Sequence, residues 1–210
     1  MTRDNPNSTV EDPEIERVLA FWFGTLIDGV ADTVTRQRWF NGGADFDALC
    51  THEFAMLLDA AMNGELAHWA TGPRGRLAFI VVTDQFSRQI HRGSARAFAT
   101  DSLALACAKD GVALGHDRTL GSDERSFFYL PFEHSESRID QHTSVGLMSL
   151  LVDDAHTAYR EEALHSLDFA IRHRDIMLRF GRFPHRNSAL GRVSTAEEIE
   201  FLRTASHFGQ

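Results

Sequence analysis

Lysine is nearly missing from this chain. Lys109 is the only one in 210 residues, and every other basic side chain apart from the histidines is arginine. With a formal net charge of -9, the composition argues against a general nucleic-acid binder and against docking on an anionic membrane. Cysteine is scarce too. Cys50 and Cys107 both fall in apolar helical patterns and share no metal-binding spacing, so they read as two buried thiols in a reducing compartment. No apolar run reaches the 18 or so residues of a membrane span. Met1 to Val10 is polar and carries no apolar signal core, which points to a cytoplasmic protein. Also missing are a phosphate-cradling loop, a dinucleotide fingerprint, a nucleophile elbow and a zinc cluster. No cofactor is therefore implied.

Alternation long enough for a β-sheet is absent as well, and the patterns that are present are helical. Residues 1–11 read as a flexible tail and 12–210 as one all-α domain. Asp12-Pro13-Glu14 has an N-cap and a first-turn proline, followed by core positions Ile15, Val18, Leu19 and Trp22 and a stop at Gly24. A loop is expected to lead to Arg38-Trp39-Phe40, and a long helix to span Asp45 to Asn63. Leu77 to Val82 is apolar on every side. Because no second such run could pair with it, it reads as a buried central helix continuing through Asp84 to Arg92. Further helices are expected over Ala95 to Ala108 (closed at Gly111), from Ser122, over Gln141 to Val152 and over Glu161 to Phe180. Ser194-Thr195-Ala-Glu197-Glu198 reads as a capping box for a short terminal helix. Short glycine-marked turns suit stacked antiparallel helix pairs, although no fixed-period repeat is visible.

Three polar stretches interrupt this pattern. Tyr129 to Phe132 runs straight into Glu133, His134, Ser135 and Glu136, with Asp140 and Gln141 close behind. On a continuous helix Glu133, Glu136 and Asp140 would share one face and repel unless cations, a metal or solvent met them. Asp84, Arg88 and His91 or Arg92 form a polar stripe on an otherwise apolar helix. It reads equally as a pocket wall or a structural ion pair. Phe180 to Asn187 is broken by Gly181 and Pro184. Within Arg172 to Arg192 there are six arginines and two histidines against the single acid Asp175, a pattern that suits phosphate or carboxylate binding. It also suits a purely internal complement to the acidic stretch.

His134 and His185, beside acids or arginines, are the acid–base candidates. His173 lies among Phe169, Ile176 and Phe180, where a histidine is more often part of the core. Glu65-x-x-His68 and Glu162-x-x-His165 match the spacing of a di-iron bundle, but the first lies in a short segment before Gly72-Pro73, and no metal is expected.

Asp84-Gln-Phe-Ser-Arg-Gln-Ile-His-Arg92, Tyr129-Leu-Pro-Phe-Glu-His-Ser-Glu136 and Phe180-Gly-Arg-Phe-Pro-His-Arg-Asn187 resemble the bacterial family catalogued as "domain of unknown function 924". The likeness extends from about Val18 to Phe208 through Phe21-Trp22-Phe23-Gly24, Arg38-Trp39-Phe40, Arg96-Ala-Phe-Ala99, Asp140-Gln141, His173-Arg174-Asp175 and Leu190-Gly-Arg192. It implies a tetratricopeptide-like superhelix and no established activity. Gln89 and His91 stand where the family pattern suggests Asn and an aromatic.

The expected site has His134, His185, Glu133 and Glu136 as the catalytic residues, with His134 or His185 as the proton-transfer group. Asp84, Gln85, Arg88, Arg92, Asp140, Gln141, His173, Arg182, Arg186 and Asn187 would bind the ligand. The partner expected is a small anionic molecule, with an acidic peptide on a tetratricopeptide-like groove as the alternative; whether the site is an enzyme's, and the oligomeric state, stay open.

Overall fold

The computed structural model describes residues 12–204, and among them every regular element is helical; the only bridge of β type is the isolated pair Ile27 and Val30. The proposed tail lies outside the described residues. Helix α1 (Pro13–Phe23) begins as its sequence dictates, with the Asp12 side chain accepting from Glu14 N at 3.0 Å. It ends at Gly24, whose φ of 62° is one that side-chain-bearing residues avoid.

Helix α2 (Thr33–Asn41) replaces the expected loop. Its apolar pattern is weak because only Thr35 and Trp39 turn inward. Asp32 caps it through Thr35 N at 2.7 Å. What holds it in place is polar: Arg38 Nη2 donates to Phe21 O at 2.6 Å and Trp39 Nε1 to Trp22 O at 2.7 Å. Both satisfy carbonyls that α1 leaves open at its C-terminus.

Helix α3 (Gly43–Met62) buries Phe46, Cys50, Phe54 and Leu58 at four-residue intervals. The central helix is confirmed. Helix α4 (Pro73–Ile80) continues through a π-helical segment, Val81–Phe86, into α5 (Ser87–Ile90). Leu77, Ala78, Ile80, Val81, Val82 and Phe86 are all fully enclosed. Around it Phe54 stacks on Phe86 at 4.3 Å, while Trp22 and Trp39 each meet Phe127 edge to face. Such aromatic contacts add about 0.5–1.5 kcal/mol each beyond their area. Both cysteines are buried as free thiols.

Helix α6 (Asp101–Ala113) starts later than expected, after a 3-10 turn at Ala95–Phe98, and runs through Gly111 instead of stopping there. Helix α7 (Ser122–Glu133) is capped one residue before Ser122: Glu124 Oε2 accepts from Gly121 N at 2.8 Å. Helices α8 (Arg138–Asp154) and α9 (Arg160–Phe180) are joined by a short turn and pack side by side, hence antiparallel. Helix α10 (Ala196–Thr204) follows the capping box, with Thr195 and Glu198 exchanging bonds at 3.2 and 2.7 Å.

Candidate functional site

Three segments meet beside the central helix. Its π-helical stretch supplies Asp84, and one turn on comes Arg88. The end of α7 supplies Glu133 and His134, α9 supplies His173, and the loop after α9 supplies His185 and Arg186. A π-helical turn inside an α-helix is often found at functional sites, and here it carries the most enclosed carboxylate. Asp84 has no exposed surface. His134 Nδ1 lies 2.9 Å from its Oδ1 and 3.0 Å from its Oδ2. Since a carboxylate only accepts, the ring proton sits on Nδ1 and Nε2 keeps its lone pair. Arg88 Nη1 reaches Asp84 at 3.0 Å and Asp101 at 2.9 Å. Arg186 Nη1 reaches the same Asp101 at 3.2 Å. The Arg186 guanidinium is stacked between Phe98 at 4.6 Å and Phe183 at 4.7 Å.

This arrangement separates the protonation states. Burial works to raise the Asp84 pKa, but Arg88 and then His134 outweigh it and hold the carboxylate well below its ordinary range. Arg88 behaves in the same sense: burial opposes its charge, and Asp84 with Asp101 more than restores it. Burial and the neighbouring Arg88 bring Arg186 down to about 10. His134 is lowered by burial and by Arg88, against the pull of Asp84. Burial drives His173 and His185 down to about 3, and it pushes Glu133 up to about 8, with Asp84 adding to the effect.

Glu133 and His173, although 3.0 Å apart, are therefore a neutral acid beside a neutral imidazole at pH 7, not an ion pair. The Phe169 carbonyl, 2.9 Å from His173 Nδ1, can only accept, so Nδ1 carries the ring proton. Glu133 Oε2, buried with no partner, is then the place for the carboxyl proton.

These groups line one side of a cavity of about 780 Å³. Gln85, Arg88, Arg92, Glu133, His134, His173, His185 and Arg186 all contribute to its wall, and Asp84 stands directly behind it. The wall also carries the apolar side chains Trp39, Phe40, Phe98, Phe127, Leu130 and Phe169. The size is within the usual range of about 300–1,000 Å³ for small-molecule pockets.

The other expected residues lie elsewhere. Helix α7 ends at Glu133 and α8 begins at Arg138, so Glu133, Glu136 and Asp140 share no helical stripe. Each meets its own partner. Glu136 takes Arg192 at 2.7 Å and Phe183 N at 2.8 Å, pinning the loop after α9. Asp140 takes Lys109 at 2.6 Å and the Ser135 hydroxyl at 2.8 Å. Gln141 Nε2 donates to the Glu133 and Ser135 carbonyls at 2.6 and 2.8 Å, closing the end of α7. Arg182 holds Glu198 at 2.7 Å, and Asn187 bonds Ser194 and Glu198, so both anchor α10. Hence of the three acids only Glu133 faces the cavity, and of the loop from Phe180 to Asn187 only His185 and Arg186.

Asp101, Phe98 and the aromatic wall escaped the sequence reading. Two signals were available, since Arg38-Trp39-Phe40 and Arg96-Ala-Phe-Ala99 both carry the family likeness and both reach the cavity. The di-iron spacing does not assemble. His68 lies 3.0 Å from Asp12 and Glu162 bonds Arg36 at 3.0 Å. Among the described residues no group of three or more His, Cys, Asp and Glu side chains is placed to hold a metal. Among them, too, no helix is long and apolar enough to cross a membrane.

Comparison with known proteins finds relatives of the chain without assigning it a reaction. The family described as "Bacterial protein of unknown function (DUF924)" matches residues 18–206. A solved structure, that of the protein of unknown function ATU0120 from Agrobacterium tumefaciens, is 34% identical with a TM-score of 0.78. The alignment covers 92% of this chain and 98% of that one. No curated protein matches the chain.

Proposed function

Because the chain belongs to this family of bacterial proteins of unknown function, we propose its role from the cavity alone: it binds a small anionic metabolite and performs acid–base chemistry on it. The observation that carries this reading is the Asp84–His134 pair beside Arg88 on the cavity wall. An imidazole with its Nδ1 proton held by a buried carboxylate presents Nε2 as a base. Glu133, kept neutral by burial, is a matching proton donor. Arg88 and Arg186 would orient the anion. No side chain here is assigned as a covalent nucleophile, so His134 would act on the substrate itself or on a water.

Isothermal titration of the purified protein against a panel of small carboxylates and phosphates tests the reading. Saturable binding that weakens in Arg186→Gln supports it. Where a turnover is found, His134→Ala should lower it by about 10²–10⁴-fold, the usual contribution of a positioned base. Absence of binding to every anion tried, or binding unaffected by either substitution, rejects it.

We also propose that the antiparallel helix pairs stack in the tetratricopeptide-like sense. Supporting this, α7 packs on α8 and α8 on α9 in chain order. An experimental structure in which successive pairs turn with the opposite hand would refute it. A concave peptide groove is the less supported use of that scaffold, since the polar groups converge on a cavity of small-molecule size.

A further inference from the structure

Resting on the ligand site just proposed, we infer the class of ligand: a monocarboxylate with an apolar or aromatic body, and not a phosphorylated or otherwise multiply charged metabolite. Charge balance is the first ground. Each arginine lining the cavity already faces a carboxylate of the protein. Arg36 meets Asp123 and Glu162, Arg92 meets Asp47, and Arg172 meets Asp168. At the polar end Arg88 meets Asp84 and Asp101, and Arg186 meets the same Asp101. Two guanidiniums against two carboxylates leave that end neutral before a ligand arrives. With no spare cation there, a dianion would bring twice the uncompensated charge that a monoanion brings.

A single carboxylate has what it needs. The Nε atoms of Arg88 and Arg186 and Oε2 of Glu133 are buried without partners. Arg186 and Glu133 are only 4% and 3% exposed. Buried polar atoms are ordinarily satisfied, so three orphans on residues that line one end of the cavity make that the end for a polar head group. Two are N–H donors, and the third carries the carboxyl proton. All three donate, and a carboxylate accepts.

The apolar wall is the second ground. Beyond the arginines the cavity continues along Phe98, Leu130, Phe127, Trp39 and Phe169. Phe98 already covers both guanidiniums, 5.8 Å from Arg88 and 4.6 Å from Arg186. It marks the boundary between the head-group end and the apolar end. Head group alone would leave most of the 780 Å³ empty, and an apolar body fills it favourably.

The test uses the wild-type chain with four probes: 4-phenylbutyrate, acetate, glycerol 3-phosphate and 4-phenylbutanol. Calorimetric titration is expected to rank 4-phenylbutyrate first, about tenfold or more above acetate, as burying an aromatic body requires. Neither glycerol 3-phosphate nor the uncharged alcohol should match it. Arg186→Gln should weaken 4-phenylbutyrate about tenfold while leaving the alcohol unchanged. Should glycerol 3-phosphate bind best, and lose affinity in Arg186→Gln, the monocarboxylate inference falls and the anion site stands. If the alcohol binds as well as the acid, the anionic head is wrong. Should none of the four bind, both proposals fall together. Ranking the probes needs only the wild type, so the result does not depend on a variant that folds.

Discussion

His134 Nδ1 sits 2.9 Å from Asp84 Oδ1, across a sequence separation of 50 residues, and Arg88 grips the same fully buried carboxylate from its other side at 3.0 Å. The contact joins the central helix to the end of α7 and sets the imidazole's tautomer at once. Asp84→Ala would strand Arg88 with Asp101 alone and release the ring. Removing one member of a buried ion pair typically costs about 3–5 kcal/mol, and urea denaturation should show a loss of that order. A loss under about 1 kcal/mol would mean that Asp84 does not hold the segments together.

Arg88 and Arg186 share Asp101 but are unequal. Arg88 holds two carboxylates and is more strongly protonated than a free arginine. Arg186 holds only Asp101, and burial next to Arg88 weakens its own charge. Arg88→Ala should therefore be the more damaging change, in the same range of about 3–5 kcal/mol. Arg186→Ala relieves one repulsion while losing the stack on Phe98 and Phe183, and should cost less. Equilibrium unfolding of the two variants side by side decides this, and the opposite ranking would refute the charge balance described here.

Much of the fold was legible because helix signals are local. The Asp12-Pro13 start, the Gly181 stop and the Thr195 capping box each occupy a few adjacent residues whose effect does not depend on the rest of the chain. Helix α2 was not legible, because polar bonds from Arg38 and Trp39 to the end of α1 hold it in place more than an apolar stripe does. The site was half legible. His134, His185 and Arg186 stand out by type and neighbourhood, but the partners of Glu136 and Arg182 are set by the turn between α7 and α8 and by the docking of α10. Spacing along a sequence cannot tell a carboxylate in a pocket from one pinning a loop.

Gly111 shows the same limit from the packing side. A glycine late in a helical pattern reads as a stop, yet α6 continues through it. Its true role is close approach: a Cβ here would lie 2.4 Å from Cζ of Phe128 and 2.9 Å from its Cε1. Phe128 is fully enclosed and cannot swing away. Gly111→Ala would gain about 1 kcal/mol of helix propensity, against an overpacking cost of about 1–3 kcal/mol. A melting temperature below wild type is expected, and a rise would show that α6 and α7 have room between them.

Stability should depend on pH in two opposite limbs, each traceable to buried groups in the site. Burial pushes Glu133 up to about 8 in the folded protein, from the 4.5 of an ordinary glutamic acid. Between those values the folded protein binds the extra proton, so stability falls as pH rises through that window. Burial brings His173 and His185 down to about 3 in the folded protein, from the 6.5 of an ordinary imidazole. From 6.5 down to 3 the unfolded chain binds the extra protons, and stability falls as pH drops. The limbs oppose each other between about 4.5 and 6.5, which places the optimum in the weakly acidic to neutral range. Glu133→Gln removes only the alkaline limb: relative to wild type, the variant should gain stability between pH 7 and 9 and show little change in slope near pH 4. Urea midpoints measured across that range check it. A wild-type alkaline limb that survives in Glu133→Gln would show that the carboxyl is already ionised in the folded protein, and would remove Glu133 as the proton donor.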